Sequence, residues 1–454
     1  MSLKKAFSWK LHGTGSIEPG GVVAPDERLS FPLTLGMGMQ HVVAMFGGVF
    51  IVPVLMGFPS STALLFSGLG TMVFLLITAN RVPSYLGSSF AFLAPVAAVA
   101  PLPKDHATLD AHSLAVALGG VMITGLALAL VGLIVHFVGA RWIRQVMPPV
   151  VTGTIVAIIG FNLASVAKTD FAAGPWQGVV TLASILVITV AFRGAIGRLA
   201  IVLGVVVGYC FALVGGGVNF APVAHAAWVG LPTFHSPVLT TQVWGLFLPV
   251  VLVLVAENVG HVKTVAAMTG SSLDKYMGRA LCADGLSTAI AGVGGGTATT
   301  TYAENIGVMA SSRIYSTAAY WVAAVFAIVL AMCPKFGALA ASIPTGVLGG
   351  AGVVLYGMIG VLGARIWVQN RIDFASPTNL LTAAVGLILG IGGFTVTAGD
   401  FSLGAIGVGS FGTIVIYHVM RSLARWRNSD DRIDAEAARG DAGEVDLAPF
   451  ETVG

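Results

Sequence analysis

Charge is what this chain has least of. Only 9% of its 454 residues are Asp, Glu, Lys or Arg, against roughly 25% in an average soluble domain. A soluble protein of this length cannot cover its surface with so few charges, which excludes the two or three soluble domains that length alone suggests. Cysteine is scarce as well. Cys210, Cys282 and Cys333 are an odd number, widely spaced in or beside apolar stretches. They read as small core residues rather than as a disulfide framework or a metal site. The net charge of +3 comes with no basic run interleaved with aromatics, so nucleic acid is not an expected partner. Residues 1–30 lack an apolar run behind a basic start, so no cleaved leader is expected. What is abundant is hydrophobic residues, at 56%, and glycine, at 59 positions. That is the composition of an integral membrane protein, with the lipid bilayer as its surroundings.

A helix that crosses a bilayer needs about 20 mostly apolar residues. Such runs lie near 34–55, 61–79, 113–139, 147–167, 176–192, 197–216, 243–263, 317–334, 343–365, 377–392 and 403–420. Phe90–Leu102 and the piece around Ile306–Ala310 are too short to cross alone, and 279–293 is borderline. Counting all three gives fourteen segments. The basic residues test that count. With the N-terminus inside, twenty Lys and Arg fall on the cytoplasmic side, and only Lys104, Lys168 and Lys335 fall opposite. That is a strong positive-inside bias, and omitting either short segment alone would invert everything after it. Both termini are therefore expected in the cytoplasm.

The two short segments stand in matching places, each third in its half. Residues 31–216 and 243–420 each hold seven segments, and an odd number turns the second half upside down relative to the first. The expected fold is an all-α membrane protein, a seven-plus-seven inverted repeat with two short strands preceding half-helices in segments 3 and 10. Inverted repeats with interrupted helices point to a secondary transporter whose site lies at the bilayer midplane, not to an enzyme. The tail from Asn428 holds eight of the twenty acidic residues and reads as a disordered cytoplasmic extension.

Few polar groups remain inside the apolar runs. Glu257 sits within Leu248–Lys263, with Asn258 beside it and His261 four residues on, on the same helix face. A carboxylate at the centre of a membrane helix costs roughly 2.5–3.5 kcal/mol on insertion scales, so a function is expected of it. A structural ion pair, or a group at the helix end near Lys263, is the alternative. Glu304 follows Thr299-Thr300-Thr301-Tyr302-Ala303 and precedes Asn305. The β-branched threonines favour an extended strand, and a helix starting near Glu304 would present free amides at membrane depth. Gly87-Ser88-Ser89-Phe90 is the counterpart in the first half. Capping alone would also account for Ser88, Ser89 and Glu304. Carboxylates that accept hydrogen bonds, beside amides that donate them, suit a small rigid ligand carrying both N–H and carbonyl groups. A nucleobase such as uracil fits, and an inorganic anion would be repelled. Phe90, Tyr302 and Tyr356 could contact its ring or simply fill the core. Gln40 and His41 in the first span are expected to support the site from behind.

Ala256-Glu257-Asn258-Val259-Gly260-His261, Tyr302-Ala303-Glu304-Asn305-Ile306-Gly307, Tyr85-Leu86-Gly87-Ser88-Ser89-Phe90 and Gln40-His41 together resemble the signatures of the nucleobase–ascorbate transporters. Within that family the chain is most similar to bacterial uracil permeases, from about Pro32 to Arg421. The resemblance implies a core domain at 31–140 and 243–334, and a gate domain at 141–216 and 335–420. Residues 1–30 would form a cytoplasmic N-terminal segment and 421–454 a disordered tail. It also implies a homodimer and proton-coupled uptake, with no cofactor and no metal.

By the resemblance, Glu257 and Glu304 bind the base through its N–H groups, and amides near Phe90 and Ala303 receive a carbonyl. Ser89, Tyr302, Tyr356 and Gly48 complete the substrate site, with Asn305 in support. His261 takes part in proton coupling, and Glu257, His261 and Glu304 are the candidate carriers of the proton. A glutamate at 304 favours uracil over purines. Ala303, where glycine is usual, and Gly48, where alanine is usual, each change the pocket by a methyl group. The remaining readings are a carrier of another nucleobase, an anion exchanger of the same architecture, and a membrane metalloenzyme using Glu257 and His261.

Overall fold

The computed structural model describes residues 7–17, 21–100, 108–399 and 401–427; the expected tail at 428–454 lies outside them. Two short strands, β1 (Lys10–Leu11) and β2 (Glu27–Arg28), precede the first helix. The first half then runs α1 (Phe31–Ala44), a π-helical turn (Gly47–Ile51), α2 (Val52–Met56), α3 (Ser60–Ile77), β3 (Leu86–Ser88) and α4 (Leu93–Val99). It continues through α5 (Ala111–Val138), α6 (Arg141–Val146), α7 (Pro149–Asn162), α8 (Ala164–Ala173), α9 (Pro175–Ala191) and α10 (Ala200–Val214). The second half holds α11 (Thr241–Phe247), α12 (Val250–Thr269), α13 (Asp274–Gly294), β4 (Thr299–Thr301), α14 (Ala303–Ser312), α15 (Thr317–Ala331) and α16 (Pro334–Ala341). It ends with α17 (Thr345–Gln369), α18 (Pro377–Ile391), the strands β5 (Val396–Ala398) and β6 (Phe401–Leu403), and α19 (Ala405–Arg427).

Among the described residues six helices are long and apolar enough to cross a membrane, or eight if each bent pair is one span. The bent pairs are α1 with the segment Gly47–Met56, at 56°, and α15 with α16, at 85°. The first bend was not visible in the apolar run 34–55, which continues through it, while the second falls where the run 317–334 ends. A second difference lies at the end of the chain. The last helix runs on through Arg427, past the expected boundary at 420, so residues 421–427 are ordered helix rather than disordered tail. The three cysteines are free thiols, with Cys282 and Cys333 partly buried. Cys210 is exposed on the helical surface and is not the core residue its apolar surroundings suggested.

The helices sort into two groups by their packing partners. In one, α5 lies along α13, α3 packs on both α13 and α15, and α15 on α1. In the other, α7 packs on α17, α9 on α10 and α17, and α18 on α19 and α7. α12 packs against both, on α5 and α13 of the first and on α7 and α19 of the second.

Glycine lets the closest of these crossings form. Gly278, Gly285 and Gly292 recur every seventh residue on α13, opposite Gly125 and Gly132 on α5. A Cβ on Gly125 would come within 2.7 Å of the Gly285 carbonyl oxygen, and one on Gly132 within 2.6 Å of the Cys282 Cα. In a membrane, where lipid tails are as apolar as side chains, such close backbone approach is what drives helices together. Gly285→Val should therefore lower the melting temperature of the purified protein by several degrees, since overpacking costs about 1–3 kcal/mol. Gly357→Ala, which meets nothing within 4 Å, should leave it unchanged. Detergent-solubilised thermal melts check both.

Candidate substrate site

The two strands that interrupt the helical layers pair with each other. β3 and β4 are antiparallel, with Leu86 opposite Thr301, Gly87 opposite Thr300 and Ser88 opposite Thr299. All six residues are buried. Buried backbone without partners is costly, and hydroxyls from the surrounding helices complete the accounting. The Leu86 amide donates to Thr71 Oγ1 at 2.9 Å, and Ser67 donates to the Leu86 carbonyl. The Thr299 amide donates to Thr288 Oγ1 at 3.1 Å. Beyond the ladder the Ser89 amide donates to the Ala298 carbonyl at 2.9 Å, and Ser88 and Thr297 share a hydroxyl hydrogen bond of 2.5 Å.

Each strand runs straight into a short helix. β4 leads through Tyr302, an extended N-cap residue without a side-chain cap, into α14. The first-turn amides of Ala303, Glu304 and Asn305 thus lack intrahelical acceptors, and the positive end of the helix lies beside the strand pair. β3 leads through Ser89 into a single 3₁₀ turn, Phe90–Phe92, and then α4.

α12 lies against β4 and supplies the ionisable groups. Thr300 Oγ1 donates to Glu257 Oε2 at 3.2 Å, which fixes this carboxylate against the strand. α13, which carries Asp284, and α14, which carries Glu304, both pack on α12, so three acidic side chains belong to one packed region. Next to Glu257 a chain of hydrogen bonds has a definite direction. Asn258 donates through Nδ2 to Asp284 Oδ2 at 2.8 Å, which leaves its Oδ1 to accept from Thr301 Oγ1 at 3.2 Å. The Thr301 hydroxyl, having given its proton away, accepts from His261 Nδ1 at 2.8 Å. His261 is thereby held as the tautomer with its proton on Nδ1, leaving Nε2 free to accept.

His41 on α1 is fully buried and bonds Asn305 Oδ1 through Nδ1 at 2.7 Å, with its ring 4.4 Å from that of Tyr320. Asn305 Nδ2 reaches the Tyr85 carbonyl at 3.5 Å. His41 and Asn305 thus link α1 to the start of α14, while Gln40 makes no hydrogen bond to this pair. Phe90 lies between two other rings, with centroids 6.3 Å from Tyr302 and 5.8 Å from Tyr356. Tyr302 is held on its far side, where its hydroxyl donates to the Ser88 carbonyl and its ring lies against Gly48 and Gly87. A Cβ on Gly48 would come within 2.7 Å of that ring, so glycine there gives Tyr302 its place. Ser89 Oγ and Tyr356 Oη are buried and make no hydrogen bond.

Glu257, His261, Ser89, Phe90, Tyr302, Ala303, Glu304, Asn305 and Gly48 therefore meet at one junction, with Tyr356 joining through Phe90. Sequence reasoning missed the role of Asp284, which is fully buried and bonded to Asn258 and Thr299. It sits on a helix that also carries Asp274, Lys275 and Arg279, and the signal that could have found it is its place deep in the apolar half of that helix. Also missed were Thr288, Ser67 and Thr71, whose hydroxyls look unremarkable in sequence.

The architecture defines a class. The fold is that of transporter transmembrane domains. It matches the overall structure of SLC26A9 with a TM-score of 0.61 and 12% identity over 84% of this chain, spanning 64% of that longer one. It matches the transmembrane domain of the cyanobacterium bicarbonate transporter BicA with a TM-score of 0.56 and 14% identity, covering 85% of this chain and 96% of that one. Such low identities speak for the fold alone.

Sequence comparison is more specific. Residues 33–399 match the model of a permease family, and the chain belongs to that family, the nucleobase–ascorbate transporters. It is 47% identical over 418 residues to RutG of Escherichia coli (strain K12), provisionally named a pyrimidine permease, covering 90% of this chain and 93% of that protein. It is 36% identical over 429 residues to the uracil permease of the same organism, covering 92% and 98%. With the uracil permease of Bacillus subtilis (strain 168) it shares 33% identity over 405 residues, covering 84% and 91%. These relatives are permeases, not enzymes, and the chain is a multi-pass membrane protein.

Asn258→Ala should test the polar chain directly. It leaves Asp284 Oδ2 without its partner and releases His261 from its tautomer, and a buried unsatisfied group costs about 1–3 kcal/mol. The expected outcome is a lowered melting temperature together with loss of transport. Asp284→Asn, which keeps the shape and most of the bonding, should melt close to the parent.

Proposed function

We propose that this protein is a proton-coupled uracil carrier of the bacterial inner membrane, with both termini in the cytoplasm. The observation that carries the reading is the meeting of Glu257, fixed by Thr300 at 3.2 Å, with the N-terminus of α14 that bears Glu304. Uracil presents two N–H groups and two carbonyls on a flat ring. Its N–H groups donate to Glu257 and Glu304, and a carbonyl accepts from the first-turn amides of α14 or from backbone near Phe90. Phe90 and Tyr356 flank the ring, while Tyr302, tied to Ser88, shapes the wall behind. An inorganic anion would meet two carboxylates at the same place, which argues against anion exchange despite the shared fold. The names of the uracil permeases among the relatives support the choice of base.

Coupling follows from the crowding of acids. With the helices of Asp284 and Glu304 both packed on the one that carries Glu257, a bound proton relieves repulsion and lets the second carboxylate accept from the base. The proton rides on Glu257, Glu304 or His261, the last through its free Nε2. Loading from the side of higher proton activity and release on the other drive accumulation. No cofactor or metal takes part.

The transport unit we infer has fourteen segments in a seven-plus-seven inverted repeat. The packing partners support this. Two of the contacts recur seven segments on, with α5 on α13 mirrored by α15 on α3, and α9 on α10 mirrored by α18 on α19. The antiparallel pairing of β3 with β4 is what a two-fold axis in the membrane plane requires. A core domain of residues 31–140 and 243–334 carries the base past a gate domain of 141–216 and 335–420, in a homodimer.

Glu257→Gln and Glu304→Gln should each cut proton-driven uptake of labelled uracil by at least about a hundredfold, with normal amounts of protein in the membrane. Parental uptake in either variant would sink the assignment. Unlabelled uracil should compete with the label better than thymine or xanthine. Stronger competition by another base would reassign the cargo within the family.

A further inference from the structure

The segment before the first span reads as a polar extension, yet its described residues are built into the fold. Residues 21–29 run beside the turn that joins α14 to α15. Val23 bridges Ile314 in parallel register, its amide donating to the Arg313 carbonyl at 3.0 Å and its carbonyl accepting from Tyr315 at 2.9 Å. The Pro25 carbonyl accepts from both the amide and the hydroxyl of Thr317, at 3.1 and 2.7 Å. Ser316 donates to the Glu27 carbonyl at 2.5 Å, and Trp9 Nε1 donates to Thr317 Oγ1 at 2.8 Å. Val23, Leu29 and Ile314 form an apolar cluster of their own, closed by Met37.

The segment is also tied to itself. β1 pairs with β2, and His12 Nδ1 lies 2.8 Å from Glu27 Oε2. The Ala24 amide donates to the same Glu27 oxygen at 3.0 Å. That amide, helped by His12, holds the Glu27 carboxyl below its usual range.

The far end of this peptide also reaches α14. Through Leu29 and Ser30 it becomes α1, and α1 carries His41, which bonds Asn305 at 2.7 Å. One continuous stretch, residues 23–41, thus holds α14 at both ends. α14 is ten residues long, about 15 Å at 1.5 Å per residue, too short to be fixed by its own span of the bilayer. Its last turn closes at Arg313 with φ +56°, a left-handed conformation that costs a residue with a side chain about 1–2 kcal/mol. The strap's bonds to Arg313, Tyr315 and Thr317 hold that turn closed. A helix moves as a rod, so fixing its C-terminal turn fixes the depth of Glu304 at the other end.

We propose that residues 21–29, tied back to residues 9–12, are a positioning strap, which locks the half-helix α14 so that Glu304 stands level with Glu257, with Val23 as its anchor. The proposal rests on the role of Glu304 given above, but the test separates the two. Two variants loosen the strap at different strengths: Val23→Asp, which places a charge in the sealed cluster, and Ser316→Ala with Thr317→Val, which removes only hydroxyl bonds. Val23→Ile is the conservative control.

Hydrogen exchange over residues 303–312 of the purified full-length protein reads the helix without reference to any substrate. It should quicken by about tenfold in the hydroxyl variant and more in Val23→Asp, and stay at the parental rate in Val23→Ile. Labelled-uracil uptake in the two loosened variants should show KM raised at least about threefold with maximal rate nearly unchanged, while Val23→Ile keeps the parental KM. Parental exchange in both loosened variants overturns the strap. Faster exchange with unchanged KM overturns its link to Glu304. If the parent carries no uracil, the exchange arm still decides whether the strap holds α14, and only the function assigned to Glu304 falls.

Discussion

Backbone that leaves a helix within a bilayer has nothing around it to bond, and each unpaired group costs several kcal/mol. This chain leaves the helix twice near its centre and meets the demand by pairing the two departures with each other, β3 with β4. Most of the site depends on that one ladder. It brings two stretches more than two hundred residues apart into register, sets two short helices going from its ends, and places Thr300 and Thr301 where α12 can use them. The hydroxyls of Ser67, Thr71 and Thr288 supply the partners the ladder leaves wanting. They are therefore as much a part of this junction as the glutamates.

The threonines of β4 do two jobs, as β-branched residues that favour the strand and as relays. Thr300 reaches Glu257, Thr301 joins His261 to Asn258, and Thr299 turns to Asp284 at 3.4 Å. The bonds from His261 to Asp284 have one self-consistent direction, because Asn258 can donate only through Nδ2 and a carboxylate can only accept. A proton bound anywhere along this chain reorients hydroxyls that touch the strand. In the function proposed above, that is the physical route by which proton and substrate influence each other across a few bonds.

Much of this was legible beforehand. Long apolar runs mark most of the helices to within a few residues, and Glu257 and Glu304 stand out because a lone carboxylate in apolar surroundings is expensive. Other features carried no such mark. The 56° bend falls inside an apolar run that hydropathy reads as continuous. Asp284 hides among the other charges of its helix, and its partner Asn258 lies on a different one, so only the folded chain brings them together. The strap escaped notice because its anchor is a single valine in a polar stretch, sealed by residues nearly three hundred positions later. Residues 421–427 read as tail because the family resemblance ends near Arg421, whereas the helix continues through Arg427. Apolar pattern is written locally in the sequence, whereas polar partnership is written across it.

The account stands on a site where a base and a proton bind together. The most direct test is the affinity of purified protein for uracil, xanthine and thymine at an acidic and at a mildly alkaline pH. Because linkage is reciprocal, a proton that favours the base must make the base bind more tightly where protons are plentiful. The prediction is saturable uracil binding that strengthens on acidification, with xanthine and thymine binding more weakly at both pH values. Uracil binding of equal strength at the two pH values, or none at either, would contradict it.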